Sequence, residues 1–359
     1  MNCAFVIALA VFALAVTGVA SAASSQNLVY FDNDFSGPGD TSMQSLVPLI
    51  RRSDVRVVGL GVVTGDAWAK EESAHLLRFL EIAGRGDIPV FLGAQMPLLR
   101  TPTEVKAWET LYGKLPWLGA FSDAAPGTDF HPGDPAFVPP MPEGRPTLQP
   151  SKEDAVSAMI RIVRANPGRV TIIAAGPLTD IALAVRIAPD LPLLAKEIVI
   201  EGGEFDNQLA QVTISTDDFT DFNFWFDPEA AHIVLTSPWA RATIVGDVTN
   251  SVRWTTAIVD RIDSGTPLGA YVKRYVVTGE PFWDEMTAAV AVDRTLVTKE
   301  LMAVMDVDAA PGADYGRARI WSDQYAPHDG QQRVHIVQAI DGTRFTDEFV
   351  AAASRGIGL

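Results

Sequence analysis

The hydrophobic run Leu28-Val29-Tyr30-Phe31 ends in Asp32-Asn33-Asp34, and past the turn formers Gly37, Pro38 and Gly39 the chain carries Asp40. Carboxylates at this spacing can gather oxygen ligands around a hard cation, hold the hydroxyls of a polyol, or take a proton from water. The apolar run reads as a β-strand, and Asp32, Asp34 and Asp40 as leaving its end together. In an open α/β sheet ligands settle outside the carboxyl ends of the strands, so the cluster lies where such a sheet would put a metal-dependent site.

Further junctions offer similar groups. Ile172-Ile173-Ala174-Ala175-Gly176-Pro177-Leu178-Thr179-Asp180 reads as strand, tight turn and helix start, and Glu197-Ile198-Val199-Ile200-Glu201-Gly202-Gly203 repeats the strand-to-glycine pattern. Asp221-Phe222-Asn223 precedes a helix that Pro228 can open, and Trp283-Asp284-Glu285-Met286 begins another with an acid near its amino end. Taken singly, aspartates in such places are ordinary turn and cap residues, and Asp227, before Pro228, is read as a cap. Their shared context raises the functional reading of the others.

The elements that would position these groups recur along the chain. Strands are expected over Val55 to Val63, Pro89 to Leu92, Val170 to Ala174, Glu197 to Ile200, Ala242 to Val245 and Arg333 to Ala339. Helical spacing of apolar residues falls between them, at Lys70 to Ala83, Ser151 to Ala165 and Pro228 to Leu235. The alternation predicts an α/β fold: a Rossmann-like open, mostly parallel sheet with helices on both faces. Trp117 to Pro150, rich in Pro, Gly and Asp, reads as a long surface loop and a candidate lid.

The 359 residues are 48% hydrophobic, which suits a substantial core, and residues 23–359 read as one domain. Residues 1–22 are uncharged, apolar from Phe5 to Leu14, and end in Ala20-Ser21-Ala22, the pattern of a cleaved signal peptide, so the protein is expected to be secreted or periplasmic. The missing basic residue before the apolar stretch leaves a retained anchor as the alternative. Cys3, the only cysteine, lies in that segment, which excludes disulfides and thiolate chemistry from the mature chain. A net charge of −16 opposes binding to nucleic acid or to anionic membranes and points to small-molecule partners.

Together the motifs resemble the inosine-uridine-preferring nucleoside hydrolase family, from about Val29 to the last helix near Phe349. The resemblance implies a hydrolase acting on the N-glycosyl bonds of ribonucleosides, or of another ribosylated compound, with Ca2+ as cofactor. A homo-oligomer is compatible with it. It makes Asp34 both calcium ligand and general base, Asp284 the distal calcium ligand, and the carbonyl of Ala175 the backbone ligand. Asp221 and Asn223 match ribose-holding groups, Asn207 is placed with them, and Asp66 stands where the family usually has asparagine.

Two departures stand out. Asp40, followed by Thr41, can replace either the ribose-binding acid or the bidentate calcium ligand of the family, so it counts as both. Trp283 occupies the place of a histidine that many members use to protonate the leaving base, and an indole cannot act as an acid. Stacking on Trp283, Trp225 or Trp68, or protonation by solvent or His131, would take over that role and favour purines. His75 and His232, on helices, are read as structural. The competing readings are a nucleoside- or sugar-binding protein without turnover, and a haloacid-dehalogenase-type phosphatase in which Asp32 attacks phosphorus but Ser251 stands where a second metal acid should be.

Overall fold

The computed structural model describes residues 26–122, 133–205 and 221–355. The predicted N-terminal segment, His131 and Asn207 lie outside the described residues. Nine strands form one sheet in the order β3-β2-β1-β4-β5-β6-β9-β7-β8. These are β1 (Asn27–Asn33), β2 (Val55–Val62), β3 (Val90–Leu92), β4 (Val170–Ala174), β5 (Glu197–Glu201), β6 (Ala242–Val245), β7 (Val297–Val307), β8 (Ala318–Trp321) and β9 (Gln332–Ile340). All neighbours pair in parallel except at one edge, where β7 runs antiparallel to both β8 and β9.

The strands are apolar on both sides because helices cover both faces. Val29 and Phe31 join one core with the helices Ala69–Ile82, Trp283–Val292 and Gly342–Ser354. Leu28 and Tyr30, alternating with them, join the other with Ala155–Ala165, Thr179–Ile187 and Pro228–Leu235. The expected α/β fold is present, and the six strands expected after the first are β2, β3, β4, β5, β6 and β9, with ends differing by a residue or so. The hairpin edge, β7 and β8, was not anticipated. Its strands face solvent over much of their length and carry charges that hide the apolar alternation.

Chain order places the site. From β1 the sheet grows one way through β2 and β3 and the other way through β4, so a crevice opens between the carboxyl ends of β1 and β4. The Ala175 N–H donates to the Asp32 carbonyl at 3.0 Å and holds the two strand ends together.

The three acids expected to leave β1 together do not. Asp32 is still in the strand, on the Tyr30 face, and packs against Gly61, where a Cβ would come within 2.0 Å of its Oδ2. Burial, together with repulsion from Asp180, raises the Asp32 carboxyl well above its ordinary range. Asp180, buried and accepting the Ala94 N–H at 2.8 Å, is pushed up to about 7, first by burial. The second oxygen of each finds no hydrogen-bond partner among the described residues.

A raised folded-state value means that the fold holds a proton the unfolded chain has already released. This contribution is complete at acid pH and is lost as pH rises through about 7. The melting temperature is therefore expected to fall between about pH 4 and 7, and Asp180→Asn to flatten that slope in calorimetric scans. An unchanged slope would exclude Asp180 as its source.

Candidate active site

A cavity of about 930 Å³ lies over the crevice, lined by Asp34, Asp40, Asp66, Ala175 and Asp284 at the strand and helix ends and by Asp221, Asn223 and Trp283 beside them. Every described residue assigned to the site from sequence thus reaches one cavity. Asp34, 2% exposed, follows β1 directly, and its Oδ2 accepts the Asp66 N–H at 2.9 Å. The backbone crowds it on two sides. A Cβ on Gly65 would lie 2.1 Å from Oδ2, and one on Gly176 would lie 2.8 Å from the Asp34 nitrogen, so both glycines are there for close approach.

Asp284 enters from the first turn of helix Trp283–Val292. Asn33 Nδ2 donates to its Oδ2 at 2.9 Å, and the Asp284 N–H donates to Thr41 Oγ1 at 3.0 Å. Thr41 in turn donates to Glu285 Oε2 at 2.5 Å. Its hydroxyl therefore braces the two helix starts. Asp40 caps the short helix Thr41–Gln44, accepting the Ser42 N–H at 2.9 Å through Oδ1, and also lines the cavity. Cap and site residue are one here.

Asn223 donates to the Ala175 carbonyl at 2.7 Å and to Glu201 Oε2 at 2.9 Å. Asp221 caps Phe222–Phe226 by accepting the Phe224 N–H at 3.1 Å. Asp227 is the cap it was read to be, accepting from Ala230 N–H and Thr179 Oγ1, and it stands off the cavity. Sequence reasoning missed Glu201, which ends β5 and lines the cavity, although an acid at a strand end before two glycines was signal enough. It also missed Asn33 as the support of Asp284.

The electrostatics are one-sided. Nine carboxyl groups line the cavity, with Glu71, Glu201, Glu204 and Glu280 joining the five aspartates, and no lysine or arginine appears among its described lining residues. Burial raises Asp34 well above the ordinary range, and repulsion from Asp66, Glu72 and Asp284 adds to it. Asp284 is raised by burial and by Glu285, Asp40 and Asp66. Among the described residues no three His, Cys, Asp or Glu side chains stand close enough to form a ready-made metal site. The donors nevertheless suit a hard cation, being buried carboxylate and carbonyl oxygens that repel one another and that positive charge would bring into balance.

Asp66 also accepts the Trp117 indole N–H at 2.5 Å. Asp66→Asn keeps that acceptor and the backbone bond to Asp34 while deleting a charge that raises the Asp34 carboxyl. The acidic limb of kcat/KM against pH is expected to move to lower pH in this variant. A limb that stays in place would mean that another group sets it.

The walls are aromatic and prolyl. Trp117, Trp225, Trp254 and Trp283 reach the cavity, whereas Trp68 is packed against Phe121 away from it. Arg100 fixes Trp225 from behind, stacked 5.1 Å over its ring and 4.5 Å over that of Tyr315. His232 is bonded to Asp306, in keeping with a structural role. His75, read as structural, lines the cavity instead.

Residues 29–347 match the inosine-uridine preferring nucleoside hydrolase family. An uncharacterised protein of Schizosaccharomyces pombe is 31% identical over 337 residues, covering 87% of this chain and 80% of that one. A pyrimidine-specific ribonucleoside hydrolase, RihA, of Enterobacter sp. (strain 638) is 26% identical over 326 residues, covering 86% of this chain and 93% of its own. In fold, the chain is similar to a purine-preferring ribonucleoside hydrolase from Gardnerella vaginalis, with a TM-score of 0.71, 21% identity, and 91% and 98% of the two chains covered.

Proposed function

The chain belongs to the inosine-uridine preferring nucleoside hydrolase family, a family of N-glycosyl hydrolases, and we propose that it cleaves ribonucleosides to free base and ribose with calcium as cofactor. The observation that carries this reading is the convergence of Asp34, Asp40, Ala175, Asn223 and Asp284 on one cavity at the switch point of the sheet. Asp34, Asp40, Asp284 and the Ala175 carbonyl would hold the metal. When bound, such a cation would supply Lewis-acid chemistry, making a nearby water easier to deprotonate and offering the sugar's hydroxyl oxygens a positive partner.

Asp34 accepts the proton of the attacking water, which its place at the cavity floor allows. Asn223 and Asp221 orient the ribose hydroxyls, and Asp40 shares that task from the opposite loop. The carboxylate-rich floor stabilises the positive charge that develops on the ribosyl carbon as the C–N bond lengthens. The base lies among the tryptophans, where Trp283 offers a stacking face that suits a purine. We further propose that the protein is exported and cleaved after about Ala22.

The test is release of base and ribose from a panel of purine and pyrimidine ribonucleosides, with calcium and after chelation. Calcium-dependent release, fastest with purines, is the expected result. Tight calcium binding with no release from any nucleoside would instead support the binding-protein reading.

A further inference from the structure

A purine or pyrimidine leaves poorly as an anion, so the reaction gains when a ring nitrogen is protonated as the C–N bond breaks. Trp283, which opens helix Trp283–Val292 and lines the cavity, has no acidic proton to give. The acid has to come from elsewhere in the cavity. Apart from the carboxylates of the floor, the protonatable wall groups are Glu71 and His75 on helix Ala69–Ile82, Tyr275, and Glu280.

His75 is set up for the task. It is 4% exposed, and its Nδ1 is hydrogen bonded to Glu143 Oε1. Glu143 is held in turn, since its backbone carbonyl accepts Arg78 Nε–H at 2.9 Å one turn further along the same helix. With Nδ1 engaged, Nε2 is the ring nitrogen left to the cavity, the arrangement in which a carboxylate fixes tautomer and orientation of a catalytic imidazole. Glu71, one helical turn before His75, lines the same wall, and its buried Oε2 has no hydrogen-bond partner among the described residues. Burial pushes Glu71 up to about 7, with the charge of His75 opposing the rise. The other ionisable groups around this corner are Glu72 on the same helix, Tyr271 and Tyr275 on helix Pro267–Tyr275, and Glu280.

We propose that His75, positioned by Glu143, is the general acid that protonates the departing base; the inference rests on the nucleosidase reading. The electron pair of the C1′–N bond moves into the base, whose ring nitrogen takes the Nε2 proton. Water oxygen bonds to C1′ and gives its proton to Asp34. Water then returns a proton to His75 and receives the one on Asp34, so that one water is consumed and neutral base and ribose leave.

The experiment compares the full chain with its His75→Asn and Glu143→Gln variants, in calcium, on inosine and on 4-nitrophenyl riboside, whose phenolate leaves without protonation. His75→Asn is expected to lower kcat on inosine by about 100-fold or more while changing turnover of the nitrophenyl riboside by less than about threefold. Glu143→Gln, which keeps the volume of the side chain, is expected to give a smaller loss confined to inosine and to displace the basic limb of the kcat profile. It carries the test alone if His75→Asn does not fold. Unchanged inosine turnover, or equal losses on both substrates, would overturn the role of His75 and leave the nucleosidase reading standing. A wild-type chain that cleaves the nitrophenyl riboside but no nucleoside would overturn both.

Discussion

Asp34→Ala is expected to remain folded and to lose about 10³-fold or more of its nucleoside turnover, because one substitution removes both the acceptor of the water proton and a proposed metal ligand. Folding should survive, since the native carboxyl is buried among Asp66, Glu72 and Asp284, which repel it. The cost is the unpaired Asp66 N–H, about 1–3 kcal/mol. Asp34→Asn separates the effects, because an amide oxygen still accepts from Asp66 but cannot take a proton from water. Single-turnover assays should show both variants binding nucleoside and neither hydrolysing it. Turnover within tenfold of the parent chain would exclude Asp34 as the base.

Exhaustive chelation is expected to have the second large effect, a loss of about 100-fold or more that added calcium restores. A stability readout accompanies it. A ligand that binds only the folded chain at a hundred times its dissociation constant contributes about 2.7 kcal/mol, which for a chain of this size raises the melting temperature by several degrees. Asp284→Asn should shrink that rise, because its carboxylate is presented to the cavity by Asn33 and Thr41. Thr41 adds no carboxylate beside Asp40, and its hydroxyl is engaged with Glu285 and the Asp284 N–H, so saturation should need a high calcium concentration. Equal activity before and after chelation would refute the metal requirement.

The parts of the molecule legible in the sequence were those with a local signature. β4 and helix Pro228–Leu235 have the expected limits because an unbroken apolar run marks one and a proline at the first turn the other. Asp34, Asp284 and Asn223 could be found because each stands at a strand or helix end with a motif around it. What stayed hidden depends on tertiary contact. Asp32 looks like Asp34 in sequence, and only the pairing with β2 and packing near Asp180 show that it faces away. His75 has a helical neighbourhood like any core histidine, and Glu143, which gives it a direction, comes from a loop 68 residues later. β8 is the edge strand and β7 the strand beside it, and their partners, rather than their composition, make them strands.

The absence of lysine and arginine among the described lining residues of so acidic a cavity reaches beyond catalysis. A 5′-phosphate entering it would meet nine carboxyl groups and, among the described lining residues, no lysine or arginine to pair with, a lining that favours unphosphorylated substrates. Nucleotides are therefore expected to be poor substrates, and a 5′-monophosphate to be cleaved far more slowly than its dephosphorylated nucleoside.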